Sequence, residues 1–203
     1  MKKEHSSRWR KLDNAAQAFP AATGKKDTRV FRFYCQLKED IQADLLQKAL
    51  EETMEHYPVF SMVLRKGLFW FYLEQRDLPA KVEEEKRPPC SEIYVPDHKT
   101  LLFQVSYYKT RINFEVFHAL TDGTGAMLFL KELVSNYLIL RHPEETFSKV
   151  SEDMLTETDF EEDSFSQYYS SDAPRKRESK KPAFQLKGEK LRQEDMNITE
   201  VCV

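Results

Sequence analysis

Ile112-Asn113-Phe114-Glu115-Val116-Phe117-His118-Ala119-Leu120-Thr121-Asp122-Gly123-Thr124-Gly125 is the stretch on which the fold turns. Its first half alternates: Ile112, Phe114 and Val116 fall on one face of an extended chain, and Asn113, Glu115 and Phe117 on the other, which is the period of a strand. The second half breaks that period with a polar, glycine-bearing loop. From Ala126 onward Met127, Leu130, Leu133, Val134, Tyr137, Leu138 and Leu140 recur at helical spacing until Pro143. Strand, tight polar loop and helix in succession make a setting in which loops often carry function.

Working back from this stretch, Leu101 to Tyr108 is a second apolar run, joined to Ile112–Phe117 through Lys109-Thr110-Arg111, and the two form a hairpin. The polar, proline-punctuated connection from Glu74 to Lys99 precedes it, with Ile93-Tyr94-Val95 predicted as a brief edge strand. Val59 to Leu64 and Leu68 to Leu73 read as another hairpin, turning at Arg65-Lys66-Gly67. Ile41, Leu45, Leu46, Ala49, Leu50, Thr53 and Met54 predict an amphipathic helix with Asp40 as N-cap and Pro58 as its stop. Residues 29–37 read as a strand and Trp9 to Pro20 as a lead-in turn. The sum is an α+β fold, a two-layer sandwich in which a mixed, mostly antiparallel sheet carries its helices on one face.

Downstream of Pro143 the texture changes. Residues 144–172 are acidic and 173–190 basic, so 144–196 reads as a solvated crossover or linker, with a partner-binding tail as the alternative. Asn197 to Val203 alternates like the opening of a strand. The domain reading is therefore 1–143 as the folded unit, 144–196 as the crossover, and 197–203 as the start of a strand belonging to a further half.

Composition limits the function classes. The chain has 203 residues, 40% hydrophobic and 32% charged, which suits one domain. Mean hydropathy is -0.65, and no window approaches the run of about 18 apolar residues that a spanning helix requires. The net charge of -3 does not point to nucleic acid, and the basic run Arg175 to Lys181 has no interleaved aromatic platform. Three dispersed cysteines, Cys35, Cys90 and Cys202, fit free thiols in a reducing compartment, and a cytoplasmic location is the expectation.

His118 and Asp122 form the constellation with the most chemistry. On a helix their spacing would present two metal ligands, but no third lies near, and no metal is expected. In a loop leaving a strand the same pair suits acid–base work, since an imidazole with a pKa of about 6.5 is substantially neutral at neutral pH and accepts a proton from a hydroxyl or thiol. Asp122 would then lock the turn, through loop amides or an ion pair with a distant basic residue, and Gly123 and Gly125 would permit backbone conformations or close approaches that a side chain blocks. An ordinary Asx-type turn beside an incidental histidine is the competing reading. His56 is placed as a helix C-terminal residue facing the dipole, while His98 and His142 have no evident partner in sequence.

His118-Ala119-Leu120-Thr121-Asp122-Gly123, at a strand exit and helix entry, resembles the His-x-x-x-Asp-Gly motif of the acyl-CoA-dependent acyltransferase superfamily, which includes chloramphenicol acetyltransferase and the condensation domains of nonribosomal peptide synthesis. Arg10 to Ala16, Phe19-Pro20 and Tyr57-Pro58-Val59-Phe60 resemble its bacterial alcohol O-acetyltransferase-like branch, so that the likeness covers roughly residues 8–142. Asp122-Gly123-Thr124-Gly125 also resembles an aspartic protease loop, without a second acid to complete a dyad. The acyltransferase resemblance implies a chloramphenicol acetyltransferase-like fold and His118 as the general base that deprotonates an acceptor hydroxyl. It further implies that Asp122 structures the loop and that Gly123 keeps the acyl-donor channel open. Acyl-CoA, acetyl-CoA in particular, would be the co-substrate and a small-molecule alcohol the acceptor. A carrier-protein thioester as donor and a non-catalytic binding or scaffold module are the alternatives. Two-half members run to about twice this length, so the resemblance implies an N-terminal half, whose tunnel a C-terminal half or self-association would complete.

Overall fold

A computed structural model describes residues 9–12, 16–24, 27–96 and 98–145. The charged crossover and the terminal stretch 197–203, apart from residues 144 and 145, lie outside the described residues. In chain order the elements are β1 (Trp9–Lys11), α1 (Ala18–Ala22), β2 (Val30–Gln36), α2 (Ala43–His56), a 3-10 turn (Pro58–Ser61), β3 (Met62–Lys66), β4 (Phe71–Gln75), β5 (Val82–Glu84), β6 (Phe103–Tyr108), β7 (Arg111–Phe117) and α3 (Gly123–Arg141). The strands form two sheets, ordered β1-β4-β3 and β2-β7-β6-β5. Every pairing is antiparallel except β5 with β6.

The larger sheet and the two long helices make the two layers. Register pairs Phe31 with Val116 and Phe33 with Phe114 across β2 and β7, so the apolar side chains of both strands share the face that the helices cover. There Phe114 stacks on Phe129 of α3 with centroids 4.7 Å apart, and Phe129 also meets Phe60 at 4.2 Å. α2 buries Leu46, Ala49, Leu50 and Thr53, one stripe at helical spacing. α3 is apolar around more of its girth, as a helix enclosed by both sheet and α2 must be. Polar bonds fix the helix pair: Asn136 donates to Thr53 Oγ1 at 3.0 Å, and the Gln42 amide donates to the Tyr137 hydroxyl at 3.0 Å.

Several local expectations are corrected. Trp9–Lys11 is not a lead-in turn but a strand paired to β4, and Ala18–Ala22 is helical. Gln42, not Asp40, occupies the N-cap of α2; it makes no side-chain cap, and its amide donates to the Tyr137 hydroxyl. Pro58, whose fixed φ suits a first helical position, drives Val59, Phe60 and Ser61 into the 3-10 turn, and β3 begins only at Met62. Leu68, Phe69 and Trp70 form the exposed tip of the hairpin rather than the start of its second strand. Gly67 fits closely there: its amide donates to the Trp70 carbonyl at 2.8 Å, and a Cβ would lie 3.0 Å from that oxygen, a tight contact. The edge strand is β5, not Ile93-Tyr94-Val95; Tyr94 instead stacks on Phe117 with centroids 5.1 Å apart.

The second face of β7 is also buried. Glu115 is enclosed despite its polarity, because the segment after β5 bonds to it; Asn113 is also buried, with its Nδ2 3.5 Å from Ser106 Oγ. Glu115 accepts from Arg32 Nε at 2.9 Å and from the Cys90 amide, while Glu85 takes bonds from Arg32 and Arg111. Buried polar groups are tolerated when paired in this way.

Candidate active site

β7 delivers His118. The Phe117 amide donates to the Leu102 carbonyl at 2.8 Å, and one residue later the His118 amide donates to the Arg29 carbonyl at 2.9 Å, continuing the β2–β7 pairing beyond its last regular rung. Arg29 adopts φ 53°, a left-handed conformation that is uncommon for a residue with a side chain. Asp27 supports it from below, accepting from the Arg29 amide at 3.2 Å and pairing with its guanidinium at 3.2 Å. The chain then tightens, with the Leu120 amide donating to the Phe117 carbonyl at 2.9 Å, and turns into α3.

Asp122 is the N-cap of α3. It is extended, and its Oδ1 accepts from the Gly125 amide at 2.9 Å. The expectation was a bond to loop amides or an ion pair with a distant basic residue; among the described residues Asp122 bonds an amide, but one in the first turn of α3. An aspartate here satisfies an otherwise unpaired N–H and complements the positive end of the helix dipole. Its carboxylate serves the helix and makes no hydrogen bond to His118.

Gly123 and Gly125 belong to the first turn of α3, which starts three residues earlier than the apolar periodicity suggested. No described glycine has positive φ. A Cβ at Gly123 would meet only Phe33 Cζ, at an ordinary 3.8 Å. The expected backbone requirement is therefore absent at Gly123: neither the conformation nor the described neighbours call for glycine.

The half-buried imidazole of His118 is held by aromatic rings. Phe19 of α1 lies parallel to it, with centroids 4.3 Å apart and planes 10° from each other; Phe31 of β2 tilts against it at 5.0 Å and 58°. Among the described residues neither ring nitrogen has a hydrogen-bond partner. Among the same residues no group of three or more histidine, cysteine, aspartate or glutamate side chains could hold a metal ion, and no helix is long and apolar enough to cross a membrane.

The remaining candidates sit elsewhere. His56 closes α2 as expected and pairs through Nδ1 with Glu132 of α3. His142 caps the C-terminus of α3, its ring 3.9 Å from both Glu39 and Glu144. The His98 amide donates to the Val95 carbonyl at 3.1 Å. The Cys35 and Cys90 thiols are raised above their ordinary range, chiefly by burial, with Glu115 adding to the effect on Cys90. Sequence reasoning did not find the roles of Phe19, Phe31 and Arg29 around His118; only Phe19-Pro20 had drawn notice.

No family model and no curated protein matches the chain. Solved structures do. The starter condensation domain of rhizomide synthetase RzmA superposes with a TM-score of 0.60 at 12% identity, over 80% of this chain and 45% of that one. The fold is similar to that of part of a condensation domain, an α+β sandwich. A variant of the same domain in complex with C8-CoA gives 0.57 at 14% identity over 78% of this chain and 41% of that one. Polyketide synthase associated protein 5 from Mycobacterium tuberculosis gives 0.51 at 18% identity, over 70% and 36%. This chain thus spans less than half the length of these condensation-fold structures.

Proposed function

We propose that this chain is the N-terminal half of an acyl-CoA-dependent O-acyltransferase of the alcohol acetyltransferase-like kind, with His118 as its general base. A ring nitrogen of His118 takes the proton of an acceptor alcohol as the oxygen attacks the thioester carbonyl. The tetrahedral intermediate expels the CoA thiolate, and the imidazolium returns the proton to that sulfur, leaving an ester, free CoA and the starting imidazole. Asp122 holds the start of α3 in place, and Gly123 leaves room for the donor beside it. The observation that carries this reading is the imidazole at the strand exit, oriented by two aromatic rings with neither nitrogen bonded to a described residue, which is what a base must offer to a substrate proton. Acyl-CoA as donor draws support from the C8-CoA complex of a protein that shares the fold.

The protein carrying this half is expected to release CoA thiol from acetyl-CoA only when an alcohol is present. His118→Ala is expected to abolish that release, since general-base catalysis contributes about 10²–10⁴-fold; unchanged turnover would refute the assignment. A second reading, acyl transfer from a carrier-protein thioester, is favoured by the likeness to condensation domains. It predicts turnover with an acylated carrier protein and none with acetyl-CoA.

A further inference from the structure

The ring plane of a general base has to be fixed, and in many sites a hydrogen bond to the second nitrogen does it. His118 has no such bond among the described residues, and the feature in its place is Phe19. We propose that Phe19 is a positioning residue for His118: parallel stacking sets the plane of the imidazole while leaving both nitrogens to the reactants. The inference rests on the reading of His118 as base.

The segment carrying Phe19 is anchored at three points. Gln17 grips the backbone of Phe71 on β4, its Nε2 donating to the Phe71 carbonyl at 2.8 Å and its Oε1 accepting from the Phe71 amide at 3.0 Å, in the manner of one further strand rung. The Phe19 amide donates to the Ala16 carbonyl at 3.2 Å. On its far side the Thr23 hydroxyl donates to the Phe19 carbonyl at 2.7 Å. Phe19 is thus tied to the three-stranded sheet, whereas His118 leaves the four-stranded one, and the stack links the two. Phe31 closes the second side of the imidazole and is itself set edge-on by Phe33, at 5.7 Å and 81°.

The charged groups of the elements packed against the imidazole are directed elsewhere: Arg29 pairs with Asp27, Arg32 with Glu115 and Glu85, and Asp122 caps α3. Among the described residues the ring contacts are therefore what orients the imidazole.

The test is the proton-NMR spectrum of the His118 imidazole in the 203-residue chain, which needs no substrate. Phe19→Leu keeps apolar cover but removes the ring face, and is expected to abolish the upfield ring-current shift that a stacked phenyl ring imposes on the imidazole protons and to broaden their signals. Phe19→Tyr is expected to keep the native shift. If Phe19→Leu does not fold, Gln17→Ala, which cuts the anchor to Phe71, is expected to reduce the ring-current shift in the same direction. Imidazole signals in the folded variant that superimpose on the native ones overturn the proposal. Loss of positioning with acyl transfer intact in Phe19→Leu overturns the need for the stack and leaves the base assignment standing; intact transfer in His118→Ala overturns the base assignment itself.

Discussion

Arg32 on β2 donates from Nε to Oε1 of Glu115, its register partner on β7, at 2.9 Å, and its other arm reaches Glu85. Glu85 in turn binds Arg111 at 2.8 Å. Two arginines and two carboxylates so fill the sheet face that the helices leave uncovered. Burial by itself would raise the Glu85 carboxyl, but the bonds from Arg32 and Arg111 outweigh it and hold Glu85 below the ordinary carboxylate range.

Removing one member of this network strands the others. Arg32→Met is expected to destabilise the chain by about 3 kcal/mol, since two enclosed carboxylates lose their shared cation. Adding Glu115→Leu should recover part of the loss. Urea unfolding measures both, and an Arg32→Met midpoint equal to the native one would contradict the account. The pH dependence follows from the depressed Glu85: the unfolded chain takes up its proton first, so this contribution is full above about pH 4.3. It is lost as pH falls through the lower folded value.

Asp122 acts on α3 through one hydrogen bond. Asp122→Ala is expected to cost about 1 kcal/mol, seen as a Tm lower by about 2–4 °C for a chain of this size. Asp122→Asn, which also accepts from the Gly125 amide, should restore most of the stability. A loss in Asn equal to that in Ala would show that the carboxylate charge, not the cap, is what matters.

Gly123→Ala separates stability from activity. The added methyl meets only Phe33 Cζ at 3.8 Å, and a helical position gains by losing glycine, so stability should hold or rise by about 0.5 kcal/mol. If the donor passes beside this residue, turnover should fall by about tenfold, the effect of roughly 1.4 kcal/mol on a barrier. Thermal melts and CoA release, measured on the same sample, make the comparison.

Two phenylalanines mark the extremes of the core. Phe129, fully enclosed among Phe60, Phe103 and Phe114, should cost about 3–5 kcal/mol on replacement by alanine. Phe69, 86% exposed at the β3–β4 tip, should tolerate serine within about 0.5 kcal/mol. Denaturant midpoints for the two variants check the contrast.

The sequence was most legible where one period persisted over a whole element. The alternation through β7, the helical stripe of α2 and the apolar run of α3 all correspond to observed elements, because a strand or helix long enough to bury a face repeats its apolar residues at a fixed interval. It was least legible where a few residues had to choose between local propensities. Leu68-Phe69-Trp70 has strand composition yet forms the hairpin tip, since the close approach of Gly67 to the Trp70 carbonyl closes the turn there. Trp9–Lys11 reads as a turn in isolation and becomes a strand only because β4 offers it an edge.

The same division runs through the candidate site. His118, Asp122 and Gly123 stand within six residues of one another, so their neighbourhood is a property of the sequence alone, whereas the N-cap role of Asp122 depends on α3 starting at Gly123. The surroundings of the imidazole are not. Phe19 lies 99 positions before His118 and Phe31 lies 87 before it, and no local pattern couples residues so far apart. What brings their rings onto His118 is the register of β2 against β7 and the grip of Gln17 on Phe71. Local spacing names the residues that can do chemistry, and long-range pairing decides which surfaces they face.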